Sequence, residues 1–434
     1  MGKQRRVKNR KPWVSNSQSP QGLAAHRSRR THALDNLRTF LTALVIVHHT
    51  AIPYGGVGSW KIRSRCFPEE SVVLVVFNVL NQTFFMGLFF FLSGYFTRVQ
   101  ISKSNVPGST LFYSRVWRLL LPAILYTVLV MPTLDAIVHM SGYNPLEGQT
   151  SLWEVYVSSW SQIRGIQGQV WYLALVVPFD TAVILLSQIF DKGANQFLAS
   201  TFNHKRLLIS SAWTTSILSS FAIRIVYPVG YIWSPLGLQL AYLPQYILAY
   251  TSGNFASISD DYFILDPLRS GVRKPLKRLV SAVIFCLASL AMLTALQEKF
   301  LGINSEELMS LTRGGFNVPA LMYAAWNEMG FALVGFSLLA VFLRYCDTPW
   351  LLCGAWLPRY SYAAFLIHPL VSLVVELVVE SVMDCGRDGC CLYGMWVWAG
   401  PVILTLVVGL GNVFASWIAA WAVISRIPYI GTII

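Results

Sequence analysis

Runs of close to twenty apolar residues recur ten times along this 434-residue chain, at about 37–54, 72–96, 117–140, 170–189, 207–228, 232–255, 279–298, 318–343, 360–382 and 396–424. A helix needs roughly twenty such residues to cross the hydrocarbon of a bilayer, and only helices or closed barrels satisfy their own backbone polar groups there. Only 12% of the residues are charged, against about a quarter in soluble domains. The spacing therefore predicts an all-α polytopic membrane protein with about ten transmembrane helices. The first run is short and interrupted by Arg38, His48 and His49. The last contains Gly409 and Gly411, where a helix could tilt or break.

Orientation follows from Lys and Arg, which accumulate in cytosolic loops. With a cytosolic N-terminus, 23 of the 33 fall in inner segments, seven in outer loops and three within spans. Both termini are thus expected in the cytosol. Nine of the basic residues lie in the first thirty positions, among Ser, Gln and Asn. That composition predicts a disordered basic tail over 1–33, preceding one membrane domain over 34–434, and the first span reads as a signal anchor. Such a tail accounts for the net charge of +13 through orientation and anionic lipid headgroups, without nucleic acid. The expected location is the endoplasmic reticulum or another endomembrane. Cys66, Cys385, Cys390 and Cys391 fall in outer loops, where oxidation is possible. Cys66 or a neighbour is expected to bridge to the 385–391 cluster. No His lies in those loops to complete a metal site, so none is expected.

Ionisable groups inside spans are costly and mark function. They are Arg38, His48, His49, Arg118, Asp135, His139, Asp180, Arg224, Glu328, His368, Glu376 and Glu380. Arg38 and His49 are eleven residues apart, which returns to within about 20° of one helix face and separates them by roughly 16 Å. His48 points about 80° away. A cation near the cytosolic boundary and a base deep in the outer half suit a long acidic substrate with a reactive tip. The same pattern also fits an arginine snorkelling to headgroups and a histidine bonded between helices. Arg115 and Arg118 lie i, i+3 at the cytosolic boundary. Two guanidiniums on one face can clamp phosphate, although positive residues are expected there on orientation grounds alone. Gly87 and Gly94 in FFMGLFFFLSGYF are one heptad apart and allow close helix packing.

Six segments carry a resemblance. They are the Arg38-to-His49 spacing after LDNL, FFFLSGYF, Arg115-x-x-Arg118, VWYLALVVPFD, NEMGFALVGFSLLAVFLR and YSYAAFLIHPLV. From about residue 34 to the C-terminus the chain resembles the membrane-bound acyltransferase 3 family, in particular its fungal-type members. The resemblance implies a ten-helix enzyme that moves an acyl group, usually acetyl, from acyl-CoA to a hydroxyl. Position by position, it makes His49 the essential histidine, Arg38 its partnering arginine and Arg115 and Arg118 the arginine pair. Glu328 is similar to an acidic residue important in some relatives and could orient or stabilise His49. Departures are Trp171-Tyr172 where many members have Trp-Phe, and the doubled His48-His49, which only the spacing resolves. The implied donor is acyl-CoA, bound by Arg38, Arg115 and Arg118, with His49 and Glu328 catalytic. The implied acceptor is a small hydroxylated molecule, such as a terpenoid or polyketide intermediate. A polytopic secondary transporter is the alternative, since intramembrane Asp, Glu, Arg and His also serve proton coupling. A non-catalytic membrane scaffold is a third reading.

Overall fold

The computed structural model describes residues 32–103, 106–143, 151–189, 205–258, 268, 272–302, 304–352, 355–383 and 399–426. Among these, twelve helices account for nearly all the regular structure. They are α1 His32–Ala51, α2 Val72–Lys103, α3 Gly108–Met140, α4 Leu152–Ser161, α5 Trp171–Ile189, α6 Lys205–Val226, α7 Leu243–Ile258, α8 Pro275–Leu301, α9 Ser305–Arg313, α10 Val318–Tyr345, α11 Ser361–Met383 and α12 Gly400–Arg426. A two-residue antiparallel ribbon pairs Leu351 with Trp356 and Leu352 with Ala355.

Eight of the helices are long and apolar enough to span a membrane by length and composition. The remaining two crossings of the ten read from sequence are α1 and α7. Hydropathy undervalues α1 because its polar groups face protein rather than lipid. Asn36 donates through Nδ2 to the carbonyls of Cys346 and Thr348 at 2.7 Å each, and Thr39 meets Ser361 at 2.9 Å. Helix α7 is shortened by a preceding 3-10 turn at Leu240–Tyr242. The short α4 and α9 lie between crossings, α4 opened by a capping box of Ser151 and Glu154. Helix α3 starts at Gly108, nine residues before the apolar run, and passes through a π turn at Tyr126–Val130. Helix α12 runs unbroken through Gly409 and Gly411.

The bundle is built on α2. Residues Phe84–Leu92 are buried, and the helix packs backbone to backbone on α7. A Cβ at Gly94 would meet the Tyr250 carbonyl, and one at Gly253 the Phe91 carbonyl, so only glycine allows this approach. Gly87 makes the equivalent room for the Phe331 ring of α10. Helix α8, with 6% of its apolar window buried, faces the periphery, whereas α10, at 67%, is central. On the outer side, the segment between α1 and α2 folds inward, burying Tyr54, Ile62, Cys66 and Phe67. Lys61 pairs with Asp135 of α3, which also accepts from Ser159 of α4 at 2.8 Å. Cys66 is disulfide-bonded. Cys385, Cys390 and Cys391, the partners expected for it, lie outside the described residues, as does the basic tail up to residue 31.

Candidate active site

Helix α1 delivers His49 to its outer end, and α11 presents His368 across from it. The Nδ1 of His49 lies 3.0 Å from the Nε2 of His368. The rings are nearly parallel, 5° apart, with centroids separated by 5.3 Å. That separation, with nitrogens 3.0 Å apart, describes two rings meeting edge to edge in almost one plane rather than a face-to-face stack. His368 in turn places Nδ1 2.6 Å from the carbonyl of Phe365. His368 is fully buried and His49 half-buried. His48 turns the other way and lies against Phe85 of α2 at 5.0 Å. The eleven-residue spacing from Arg38 thus selects the histidine with a polar partner.

A tryptophan from the outer segment covers this pair. Trp60 lies over His49, centroids 5.4 Å apart and planes 20° apart, while its Nε1–H donates to Oε2 of Glu376 at 2.6 Å. Asn412 of α12 spans Glu376 Oε1 at 3.5 Å and Thr50 Oγ at 2.9 Å. One turn along α11, Oε2 of Glu380 accepts the backbone N–H of Arg65 at 3.1 Å. Two buried carboxyl groups of α11 therefore anchor the outer segment over the histidines. Beyond Trp60 opens a cavity of about 340 Å³ lined by Ile52, Gly58, Trp60, Lys61, Ile62, Arg63 and Tyr143.

Near the opposite ends of the helices lie the arginines. Arg115 contacts Asp180 at 3.6 Å and donates to Gln100 at 2.6 Å. Asp180, buried on α5, is itself held by Thr97 at 2.8 Å and Tyr250 at 2.6 Å. Arg118 is exposed, and its carbonyl accepts from the Tyr362 hydroxyl at 3.1 Å. Arg38 approaches Asp35 at 3.3 Å and lies 5.8 Å from the Phe96 ring. Both Arg38 and Arg115 are within electrostatic reach of Tyr172, whose hydroxyl meets Ser93 at 2.5 Å. From Tyr172 a succession of rings leads to the histidines: Phe365 at 6.3 Å, His368 at 5.8 Å from Phe365, then His49. The model of the acyltransferase 3 family, described as an acyltransferase domain, matches residues 31–421.

The chain belongs to the acyltransferase 3 family. No curated protein and no solved structure matches it. Within this membrane acyltransferase, Glu328 occupies a second polar region, separate from the histidine pair. It is fully buried on α10 beside Ser216, with Arg224 close enough to interact electrostatically. Arg224, also fully buried, lies 5.3 Å from the Tyr242 ring and 4.9 Å from that of Tyr323. Among the described residues the hydrogen-bond partner of the His49 ring is His368, not Glu328. The sequence marked His368 and Glu376 as costly residues inside a span, and His368 also as part of YSYAAFLIHPLV, but gave neither a partner. Trp60 gave no signal, because its role comes from a loop folding back over α1. Among the described residues no group of three or more His, Cys, Asp or Glu is placed to hold a metal ion.

Proposed function

We propose that this protein is an O-acyltransferase that moves an acyl group, acetyl in the simplest case, from acyl-CoA to the hydroxyl of a small acceptor. The observation that carries this reading is the half-buried imidazole of His49, bonded to His368 and joined by ring contacts to the level of Arg38 and Arg115.

Arg118, exposed at the inner mouth, would meet the donor phosphates together with Arg38 and with Arg115, which Asp180 and Gln100 steady. Guanidiniums suit this role because their donors match phosphate oxygens in pairs. The aromatic faces of Tyr172 and Phe365 would flank the pantetheine arm and bring the thioester to His49. There the imidazole takes the proton of the acceptor hydroxyl as its oxygen attacks the thioester carbonyl. When the carbon–sulfur bond breaks, the imidazolium returns that proton to the departing thiolate. General-base catalysis of this kind typically contributes about 10²- to 10⁴-fold.

The acceptor is a hydroxylated small molecule, such as a terpenoid or polyketide intermediate, and the setting is an endomembrane, as in the endoplasmic reticulum. The outer cavity supports a small acceptor: its volume of about 340 Å³ falls within the roughly 300–1,000 Å³ of small-molecule sites. Trp60 is the wall it shares with His49. Comparing extracts of cells with and without the protein by mass spectrometry should reveal a metabolite heavier by one acetyl group. Purified His49→Ala that inserts and melts like the wild type should lose at least about a hundredfold in rate. A variant retaining wild-type turnover would refute the assignment.

A further inference from the structure

The geometry points to His368 as a positioning residue that fixes the tautomer of His49, with Pro369 making this possible. The inference rests on the acyl-transfer reading only for its kinetic consequence.

In a regular helix the carbonyl of residue 365 accepts from the N–H of residue 369. Position 369 is proline, inside α11, and proline has no N–H to give. The Phe365 carbonyl is thereby released from the helix ladder, and the Nδ1 of His368 occupies it at 2.6 Å. A carbonyl oxygen only accepts, so the nitrogen facing it must carry the proton. Neutral His368 then has a bare Nε2. That nitrogen faces Nδ1 of His49 at 3.0 Å, so Nδ1 of His49 must be the donor. The remaining nitrogen of His49, Nε2, then carries the lone pair that can serve as a base. A chain of three groups, carbonyl to His368 to His49, thus permits one proton arrangement and rejects the other.

The near-coplanarity of the rings, 5°, places the N–H of one on the lone-pair axis of the other. When His49 accepts a proton at Nε2, its positive charge is shared through the Nδ1–H with His368. This is the task a carboxylate performs in other histidine dyads, done here by a neutral, fully buried imidazole.

The test uses full-length protein in lipid nanodiscs, labelled with ¹⁵N-histidine, in four forms: wild type, His368→Phe, His368→Gln and Pro369→Ala. Nitrogen spectra of neutral imidazoles report which nitrogen bears the proton and need no substrate. Wild type should show His49 protonated at Nδ1. His368→Phe keeps a flat ring but no acceptor, and should show His49 protonated at Nε2 or mixed. Its kcat, read as CoA thiol released from acetyl-CoA with the metabolite found acetylated in the extract comparison as acceptor, should fall about 10²- to 10⁴-fold with KM for acetyl-CoA unchanged. His368→Gln, whose amide oxygen can accept from His49, should recover most of that loss and the wild-type spectrum. Pro369→Ala restores the competing N–H and should give mixed tautomers with a several-fold loss, which carries the test should His368→Phe fail to insert. Unchanged His49 spectra in His368→Phe or Pro369→Ala would overturn the inference, as would a kcat for His368→Phe near that of wild type. If the spectra behave as expected while no form releases CoA, acyl transfer fails and the tautomer assignment stands.

Discussion

Trp60 and Glu376 join two parts of the chain 316 residues apart, and the strength of that bond can be measured. The indole N–H is a donor only, so Oε2 of Glu376 accepts whatever the proton count of the carboxyl group. Glu376 is fully buried. In Trp60→Phe the ring over His49 remains, but Oε2 loses this donor, and an orphaned buried acceptor costs about 1–3 kcal/mol. In Glu376→Met the indole N–H is orphaned instead, at a similar cost. In the double variant neither partner is left waiting. The two changes should therefore be less damaging together than their sum by about 2–6 kcal/mol, the two orphan costs combined, whereas independent sites add to within roughly 0.3–0.5 kcal/mol. The assay is a four-corner cycle of unfolding free energies for the detergent-purified protein, with circular dichroism confirming equal helix content. Additivity would show that the contact does not hold the outer segment down, and Trp60 would then have no claim to be the fixed cover of His49.

The other expectations concern separate parts of the molecule. His48→Phe should keep turnover within about threefold, because His48 packs on Phe85 and a flat apolar ring preserves that contact. Its failure to turn over would put the base at His48. Asp180→Asn withdraws the charge that steadies Arg115, so KM for acyl-CoA should rise about tenfold with kcat unchanged, the signature of lost uniform binding. A fall in kcat alone would place Asp180 at the reacting centre. Glu328→Gln should leave kcat per folded molecule within about threefold, since His49 takes its hydrogen bond from α11 rather than α10. A hundredfold loss at unchanged stability would return Glu328 to the catalytic machinery.

The crossings were legible because hydropathy records the solvent each segment meets, and eight of them stand out on length and composition alone. The weakness of α1 was legible too, but not its cause. Asn36 bonds to carbonyls near residues 346–348, and such long-range partners leave no periodic trace. Spacing put Arg38 and His49 on one stripe because both belong to one helix. It was silent on His368, more than three hundred residues away, whose relation to His49 exists only after α1 and α11 pack. Asp180 was flagged as costly without a partner for the same reason. Arg115 and Arg118, though i, i+3, fare differently: one is drawn toward Asp180 and the other stays exposed. A face shared along a helix does not settle which neighbour each side chain meets.

The bilayer explains why the polar groups are distributed as they are. A charge costs least near the boundary, where long side chains reach water and headgroups. Arg38 and Arg118 are partly exposed there, and the more enclosed Arg115 has Asp180 for company. Deeper in, an ion pair between a histidine and a carboxylate would have to repay the desolvation of both partners. The histidine of α1 meets instead a second, neutral ring whose far nitrogen is satisfied by a backbone carbonyl. Such a chain is hydrogen-bonded at both of its internal links, keeps only Nε2 of His49 for the incoming proton, and carries charge only while a proton is in transit. Glu376 and Glu380 are spent on fastening the outer segment. On this division, replacing the neutral partner by an acid, as in His368→Glu, should not improve the base: the new carboxyl would lack the Phe365 carbonyl's support and bring its own desolvation into the bundle.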